Sequence, residues 1–234
     1  MLNWRHRSSM KTADFNLWLS ELVGTYLLVV IGPGTIVSLS VLSISGPEAL
    51  ALVALSFGGT VALVIFFLGE FSGAIINPAL TVAALSAKQL RAGLVVPFLA
   101  FQIIGGALAG YSLKLVFGSL GDGTSLGSTK LAVGVTPSTG ILLESVGTFF
   151  LACSALVAST RIRKASHQAL LVGGTLAVLI LLIGPSTGAG FNPARSLGPS
   201  LASDYFTDFY VYLVGPLAGA LIAGFAFRFA SPRG

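Results

Sequence analysis

Long apolar runs separated by short polar segments dominate the pattern of this chain. Six of these runs are long enough to cross a hydrocarbon core as helices, because a span needs roughly 17–25 residues. The runs cover residues 16–42, 49–69, 92–117, 139–160, 168–184 and 209–230. The longest connection, residues 118–138, is rich in Gly, Ser and Thr. The pattern predicts an all-α membrane protein with six transmembrane helices.

Two further apolar stretches are too short to cross, and each begins with an Asn-Pro-Ala triplet. The triplets are Asn77-Pro78-Ala79 and Asn192-Pro193-Ala194. The stretches that start at their prolines, residues 78–87 and 193–202, would form helices of about 15 Å, half of a ~30 Å core. Pro suits the first turn of a helix, and the preceding glycines suit irregular backbone. We therefore predict two re-entrant half-helices.

The two halves of the chain repeat one another. The segment Glu21-Leu22-Val23-Gly24-Thr25-Tyr26 resembles Glu144-Ser145-Val146-Gly147-Thr148-Phe149. Gly59-Thr60 lies 18 residues before Asn77, and Gly174-Thr175 lies 18 before Asn192. Gly106–Gly110 also resembles Gly215–Gly219.

Each half contains three predicted spans, so the second half must be inverted in the membrane relative to the first. Inverted repeats with broken helices at the midplane are typical of transport proteins. We expect a single transmembrane channel domain over residues 1–234. Repeat one would cover residues 16–117, the connecting loop 118–138, and repeat two 139–230.

Composition supports a membrane protein and excludes several other classes. Hydrophobic residues make up 54% of the chain and charged residues only 9%, against about 25% in soluble domains. The net charge of +5 reflects topology, so no nucleic-acid partner is expected. The sequence shows no catalytic Ser/His/Asp arrangement, no metal-ligand cluster and no phosphate-binding loop. We therefore expect no enzyme activity and no cofactor.

The distribution of basic residues predicts the orientation. In a six-span arrangement only Lys114 and Lys130 fall on one side, and all the other basic residues considered fall on the opposite side. These are Arg5, Arg7, Lys11, Lys88, Arg91, Arg161, Arg163, Lys164, Arg228 and Arg233. Cytoplasmic loops carry the excess of Lys and Arg, so both termini are expected in the cytoplasm of a multi-pass plasma-membrane protein.

The polar residues at the triplets are candidates for contact with a permeating molecule. Asn77 and Asn192 would direct side-chain amides into a lumen, where each NH₂ group can donate to a solute oxygen. The alternative is that both only cap their half-helices. Arg195 is a charge within the membrane and therefore a candidate functional residue. It would line an outer constriction, or else act as an interfacial anchor or pair with Asp204 or Asp208.

Glu21 and Glu144 occupy matched positions inside spans. A buried carboxylate needs hydrogen-bond donors, and the two re-entrant loops offer free backbone N–H groups. We interpret the two glutamates as supports for the loops. Two alternatives are that they carry protons in a coupled transporter and that they lie at the membrane interface.

The two triplets, the second continuing as Asn-Pro-Ala-Arg-Ser, and the Glu-x-x-Gly-Thr-aromatic segments resemble the aquaporin, or major intrinsic protein, family. The resemblance covers residues 16–229. It implies the aquaporin-like fold, passive flux of water or small neutral solutes, and a homotetramer with one pore per subunit in the lipid bilayer.

The resemblance also implies four filter positions, which by spacing are Phe57, Ile180, Ala189 and Arg195. Strict water channels of the family commonly have His where this chain has Ile180. Ile donates no hydrogen bond and Ala189 is small, so the filter should be less polar than a water-only filter and wider.

We therefore predict a channel that passes water, with some permeability to small neutral solutes such as glycerol, and that excludes ions and protons. An alternative is a channel whose main cargo is glycerol, ammonia or a dissolved gas. A secondary transporter built on inverted repeats and a closed structural membrane protein are the rivals from other classes.

Overall fold

The structure, a computed structural model, describes residues 12–230, and this range is helical without any β-strand. A segment of 3₁₀ turns over Gly118–Gly127 follows the fourth helix. The basic residues Arg5, Arg7, Lys11 and Arg233 lie outside the described residues. The helices are α1 Thr12–Val41, α2 Gly46–Ser72, α3 Pro78–Ser86, α4 Ala92–Phe117, α5 Pro137–Arg161, α6 Ala165–Thr187, α7 Pro193–Ser203 and α8 Val211–Ala230.

Six helices (α1, α2, α4, α5, α6 and α8) are long and apolar enough to cross a membrane. Large apolar side chains on their outer surfaces are exposed, among them Leu115 and Phe229. Glu21, Gln102 and Glu144 have no exposed surface. This distribution suits a bundle in lipid, where polar groups must find partners inside the protein. The predicted fold class is confirmed, with six long helices and two short ones.

The two short helices point their N-terminal ends at each other. Each begins at the proline of a triplet, and the preceding Asn is its N-cap. The Asn77 amide donates to the carbonyl O of Phe191 at 2.9 Å, and the Asn192 amide donates to the carbonyl O of Ile76 at 2.9 Å. These reciprocal bonds hold α3 and α7 end to end between the long helices.

Close helix contacts relate the two halves by an approximate two-fold axis. Helix α2 packs on α6, α1 on α4, and α5 on α8. At the α2–α6 crossing, a Cβ atom on Gly58 would lie 2.5 Å from the carbonyl O of Gly173. A Cβ atom on Gly173 would likewise meet the carbonyl O of Gly58. Such contacts between small residues let helix backbones approach closely, and here they join the two repeats.

The glycine contacts of α4 and α8 show which positions of the two repeats correspond. A Cβ on Gly105 would meet the carbonyl of Leu22, and a Cβ on Gly219 would meet that of Ser145. Leu22 and Ser145 follow the matched glutamates directly. Gly105 therefore corresponds to Gly219.

The same comparison applies five residues later along both helices. Gly110 contacts the carbonyl of Gly198 in α7, and Gly224 contacts that of Ala83 in α3. Gly110 thus corresponds to Gly224, and the sequence alignment of Gly106–Gly110 with Gly215–Gly219 was wrong by five residues, or about one and a half turns. Small residues recur at short intervals in both helices, so several alignments fit the sequence and only the contacts separate them.

Candidate functional site

Irregular backbone leads into each half-helix. Three residues of each loop have positive φ angles, which are rare for residues other than Gly. They are Gly73 (93°), Ala74 (50°) and Ile76 (46°) in the first loop, and Gly188 (77°), Ala189 (48°) and Phe191 (50°) in the second. Peptide groups in such a segment have no helical partners and must be satisfied by other groups.

Glu21 supplies acceptors for the first loop. Its Oε1 atom accepts from the Ser72 hydroxyl at 2.5 Å and from the Ile75 amide at 3.0 Å. Its Oε2 atom accepts from the Ile76 amide at 2.6 Å and from the Gln102 side chain at 2.7 Å. The four donors lie at the end of α2, in the loop and in α4, so the carboxylate is directed at protein groups.

Glu144 contacts the second loop in nearly the same way. Its Oε1 atom accepts from the Thr187 hydroxyl at 2.6 Å and from the Gly190 amide at 2.9 Å. Its Oε2 atom accepts from the Phe191 amide at 2.7 Å. Thr187 also accepts from the Ala189 amide at 3.1 Å. The same arrangement therefore occurs in both repeats, in which a buried carboxylate accepts hydrogen bonds from the backbone of a re-entrant loop.

The two asparagines cap their helices and also face the space between the halves. The Oδ1 atom of Asn77 accepts from the amides of Ala79 and Leu80 at 2.8 and 3.4 Å. The Oδ1 atom of Asn192 accepts from those of Ala194 and Arg195 at 3.0 and 3.2 Å. Because capping fixes the oxygen, the NH₂ group of each amide is the end that remains directed away from its own helix. One of its two hydrogens serves the bond to the opposite loop.

A cavity of about 90 Å³ runs between the halves. Most of its lining is apolar and includes Ile75, Leu80 and Ala155. The polar side chains on its wall are Asn77, Gln89, Ser159, Gln168, Asn192 and Arg195. Gln89, Ser159 and Gln168 belong to the end of the bundle that carries Lys88 and Arg161, so the cavity extends from that end past both asparagines.

Three of the four predicted filter residues line this cavity together. Phe57, Ala189 and Arg195 are on its wall. The guanidinium carbon of Arg195 lies 4.9 Å from the centroid of the Phe57 ring, within cation–π range. Ile180 is also buried, with 3% of its surface exposed, but it is not among the residues that line the cavity. Its place in a filter stays a prediction.

A loop outside the half-helices holds Arg195. Its Nη1 atom donates to the carbonyl O of Gly127, at the end of the 3₁₀ segment, at 3.0 Å. Only 2% of the residue is exposed, and its hydrogen bond runs to this carbonyl, not to Asp204 or Asp208. The Nε atom of Arg195 is buried without a partner among the described residues.

The sequence analysis did not single out four of the supporting residues. Ser72 and Thr187 lie at the same distance before their triplets, a signal that comparison of the repeats could have revealed. Gln102 is an amide in an apolar span, which is itself unusual. Gly127 contributes only a backbone carbonyl, and no side-chain pattern indicates that role.

Residues 8–227 match the model of the family described as "Major intrinsic protein". The chain belongs to this family. The predicted membership is thereby confirmed, and it places the protein among channel-forming membrane proteins, not enzymes.

Several relatives in the major intrinsic protein family carry the name aquaporin. Over 208 residues the chain is 35% identical to Aquaporin NIP3-1 of Arabidopsis thaliana, covering 87% of this chain and 64% of that protein. It is 33% identical to Aquaporin NIP1-2 of Oryza sativa subsp. japonica, covering 91% and 70%. It is 31% identical to "Probable aquaporin AqpM" of Archaeoglobus fulgidus, covering 90% and 94%. The chain thus spans just under two thirds of the first relative's length.

A solved structure of the major intrinsic protein family has the same fold. The X-ray structure of the aquaglyceroporin from Plasmodium falciparum superimposes with a TM-score of 0.77, covering 90% of this chain and 94% of the other. At 22% sequence identity the likeness concerns the fold, and the choice of solute has to be argued from the cavity of this chain.

Proposed function

We propose that this protein is a passive channel for water that also passes small neutral solutes such as glycerol, and that it excludes ions and protons. The observation that carries the proposal is the cavity that runs past both asparagine amides to Arg195. A long apolar wall with a few polar groups lets a solute exchange its hydration for protein contacts at separate points, without binding tightly at any of them.

The central asparagines supply one of those points. Each donates one N–H to the opposite loop and has a second N–H for a molecule in the cavity. A water oxygen that accepts from both amides directs its own hydrogens away, so a hydrogen-bonded proton wire is interrupted there. The N-terminal ends of α3 and α7 add partial positive charge at the same place, and this disfavours a cation.

The charges on the cavity wall support exclusion of cations. Among the described residues that line the cavity, none is acidic, and Arg195 is basic. A buried guanidinium repels cations and donates hydrogen bonds to neutral solutes. The Nε atom of Arg195, which has no hydrogen-bond partner in the part of the chain that the structure describes, is a donor that a passing oxygen could use.

The carboxylates argue against a proton-coupled transporter. Among the side chains that the structure describes, Glu21 and Glu144 are the buried acidic groups. Each accepts hydrogen bonds from its re-entrant loop and from the helix end before it. We propose that they support the loops. A carrier would have to release these bonds at each protonation, which would leave several buried donors without partners at a cost of about 1–3 kcal/mol each.

The alternative within the class is a channel whose main cargo is glycerol or another small neutral solute. It is favoured by the apolar Phe57 and Ala189, which leave Arg195 as the donor at that part of the wall. Apolar wall groups suit the carbon backbone of a polyol, and they bind water less well than a wall with more donors.

We further propose that the chain forms a homotetramer in the plasma membrane, with the end that carries Lys88, Arg161 and Arg228 in the cytoplasm. The proposal rests on the positive-inside distribution of charge and on family membership. Exposed apolar side chains on the outer helix faces, such as Leu55, Phe67 and Val178, offer surfaces for lipid and for neighbouring subunits.

Proteoliposomes test the proposal. Stopped-flow light scattering would record shrinkage in a sucrose gradient, and then volume recovery in a glycerol gradient, against protein-free liposomes. We expect faster shrinkage and measurable acceleration of recovery. Recovery without faster shrinkage would favour the glycerol alternative. Saturable uptake that depends on an ion gradient would favour a transporter, and permeability equal to that of bare lipid would exclude a channel.

A further inference from the structure

Two adjacent residues of α1, Gly32 and Pro33, contact the groups that position the cavity wall at Phe57 and Arg195. The point where a Cβ atom of Gly32 would lie is within 2.6 Å of Cε1, Cζ and Cδ1 of the Phe57 ring. A Cβ atom on Gly127 would lie 2.8 Å from the carbonyl O of Pro33, and the carbonyl O of Gly127 accepts from Arg195. Gly32 and Pro33 are buried, and neither is among the residues that line the cavity.

The Phe57 ring can lie where it does only because Gly32 has no side chain. Carbon atoms pack at about 3.5–4.0 Å, so a methyl group on Gly32 would force the ring or α1 to move by roughly 1 Å. The ring is buried and forms part of the cavity wall. Because a packed interior contains few other voids, the space into which a displaced ring can move is the cavity.

The second repeat shows which residue takes this position where no aromatic ring is present. Gly32 is the eleventh residue after the first supporting glutamate, and Ala155 is the eleventh after the second. Phe57 precedes its capping asparagine by 20 residues, and Val172 precedes the other by the same number. The helix that matches α1 thus forms with alanine, so the helix itself does not require glycine. Glycine occurs in the repeat that carries the larger side chain.

We propose that Gly32 is a positioning residue that sets how far the Phe57 ring projects into the cavity beside Arg195, and thereby which solutes pass. The inference rests on the proposed channel function and adds a determinant of selectivity that lies off the cavity wall. The Arg195 guanidinium carbon is 4.9 Å from the ring centroid, so a shift of the ring changes the opening next to this donor. Pro33 contacts the loop that holds Arg195, and α1 therefore supports both groups.

A single methyl group at Gly32 tests the proposal in proteoliposomes. Gly32→Ala should lower the ratio of glycerol to water permeability about tenfold, because the displaced ring narrows the passage and obstructs the larger solute more. Paired stopped-flow shrinkage and recovery give the ratio. An unchanged or increased ratio overturns the proposal.

Gly34→Ala is the matched control for this variant. It adds the same methyl group to the same helix, but its Cβ would lie 3.1 Å from Cδ2 of Leu113, the end of a flexible side chain that can adjust. We expect this variant to keep the wild-type ratio. An equal fall in both variants would show that the effect comes from α1 as a whole, and it would overturn the proposal.

Removal of the ring tests whether the effect of Gly32 is transmitted through Phe57. In a Phe57→Val background, Gly32→Ala gives the first repeat the alanine and valine that the second repeat has at the matched positions. The added methyl group should then leave the permeability ratio unchanged, since there is no ring to displace, and this double-mutant cycle isolates the contact. A fall in this background as large as in the wild-type background would mean that the positioning role is wrong.

Experimental structures of the wild type and of Gly32→Ala test the proposal without any measurement of flux. We expect the Phe57 ring of the variant to be displaced into the cavity by roughly 1 Å, with α1 in its wild-type position. An unmoved ring, with α1 shifted away from it, overturns the proposal. If wild-type proteoliposomes were no more permeable than bare lipid, the channel proposal would fail, and the two structures would still decide whether Gly32 positions the ring.

Discussion

At the scale of single residues, we propose that the apolar character of the wall around Arg195 determines which solutes pass. Phe57 and Ala189 lie with Arg195 on the cavity wall, and Arg195 is held in place by the Gly127 carbonyl. Ala189 has a positive φ of 48°, so its backbone is strained, and its small side chain leaves the passage open. Among the described residues that line the cavity, Arg195 is the charged one, and we propose that permeating solutes pass it.

Adding polar bulk to the filter should favour water over glycerol. In the double variant Ile180→His with Ala189→Thr, we expect the ratio of glycerol to water permeability to fall about tenfold, equivalent to about 1.4 kcal/mol. The measurement is paired stopped-flow shrinkage and recovery. An unchanged or increased ratio would contradict the assignment of these positions to the filter. An unchanged ratio would agree with the position of Ile180 off the cavity wall.

At the scale of elements, each re-entrant loop depends on a carboxylate contributed by another helix. Glu21 in α1 and Glu144 in α5 satisfy backbone amides that no helical ladder can reach. The two loops are therefore stable only within the assembled bundle. Each half-helix begins directly after its capping asparagine.

Removing one of these carboxylates should loosen its loop. Glu21→Ala leaves two backbone amides, one hydroxyl and one side-chain amide without their acceptor, and we expect a loss of about 3 kcal/mol in the free energy of unfolding. Thermal unfolding in detergent, monitored by size-exclusion chromatography, measures the loss of stability in each variant. Glu70→Ala is the control, because Glu70 is exposed on α2 and should change stability by less than about 0.5 kcal/mol. Equal losses in the two variants would refute the supporting role.

The crossing of α2 and α6 offers a second test at this scale. Ala is normally the better helix former by roughly 0.5–1 kcal/mol, so Gly59→Ala, which meets no atom within 4 Å, should be neutral or slightly stabilising. Gly58→Ala should instead destabilise the protein by about 2 kcal/mol, because its Cβ meets the backbone of Gly173. Comparable melting temperatures for the two variants would mean that the crossing tolerates expansion.

Much of this architecture could be predicted from the sequence, because its signals are local. Run length predicted the six spans, and Asn-Pro at the start of a short apolar stretch predicted both half-helices. The support of the loops by Glu21 and Glu144 was also a hypothesis from spacing alone. The partners of these residues depend on contacts between distant segments. The roles of Gln102 and Gly127 were therefore not predicted, nor were the reciprocal bonds from Asn77 to Phe191 and from Asn192 to Ile76.

At the scale of the whole molecule, two inverted halves build one path that neither half could form alone. Asn77 and Asn192 each bond to the opposite loop, so the centre of the cavity is shared by both repeats. The misaligned glycines of α4 and α8 belong to this scale as well. Which glycine of α4 corresponds to which glycine of α8 is determined by the helix that each one contacts. The sequence alone does not determine this correspondence, because small residues recur in both helices.

The central claim is that water passes through this cavity, and the osmotic permeability of proteoliposomes with a blocked cavity tests it most directly. Ala155 lines the cavity and is only partly buried, so Ala155→Trp should fill the passage without disrupting the core. Val146→Trp is the control, because Val146 is on the same helix and is exposed. We predict that Ala155→Trp lowers water permeability to nearly that of protein-free liposomes, while Val146→Trp retains the wild-type value. Equal permeability of the two folded variants would contradict the account.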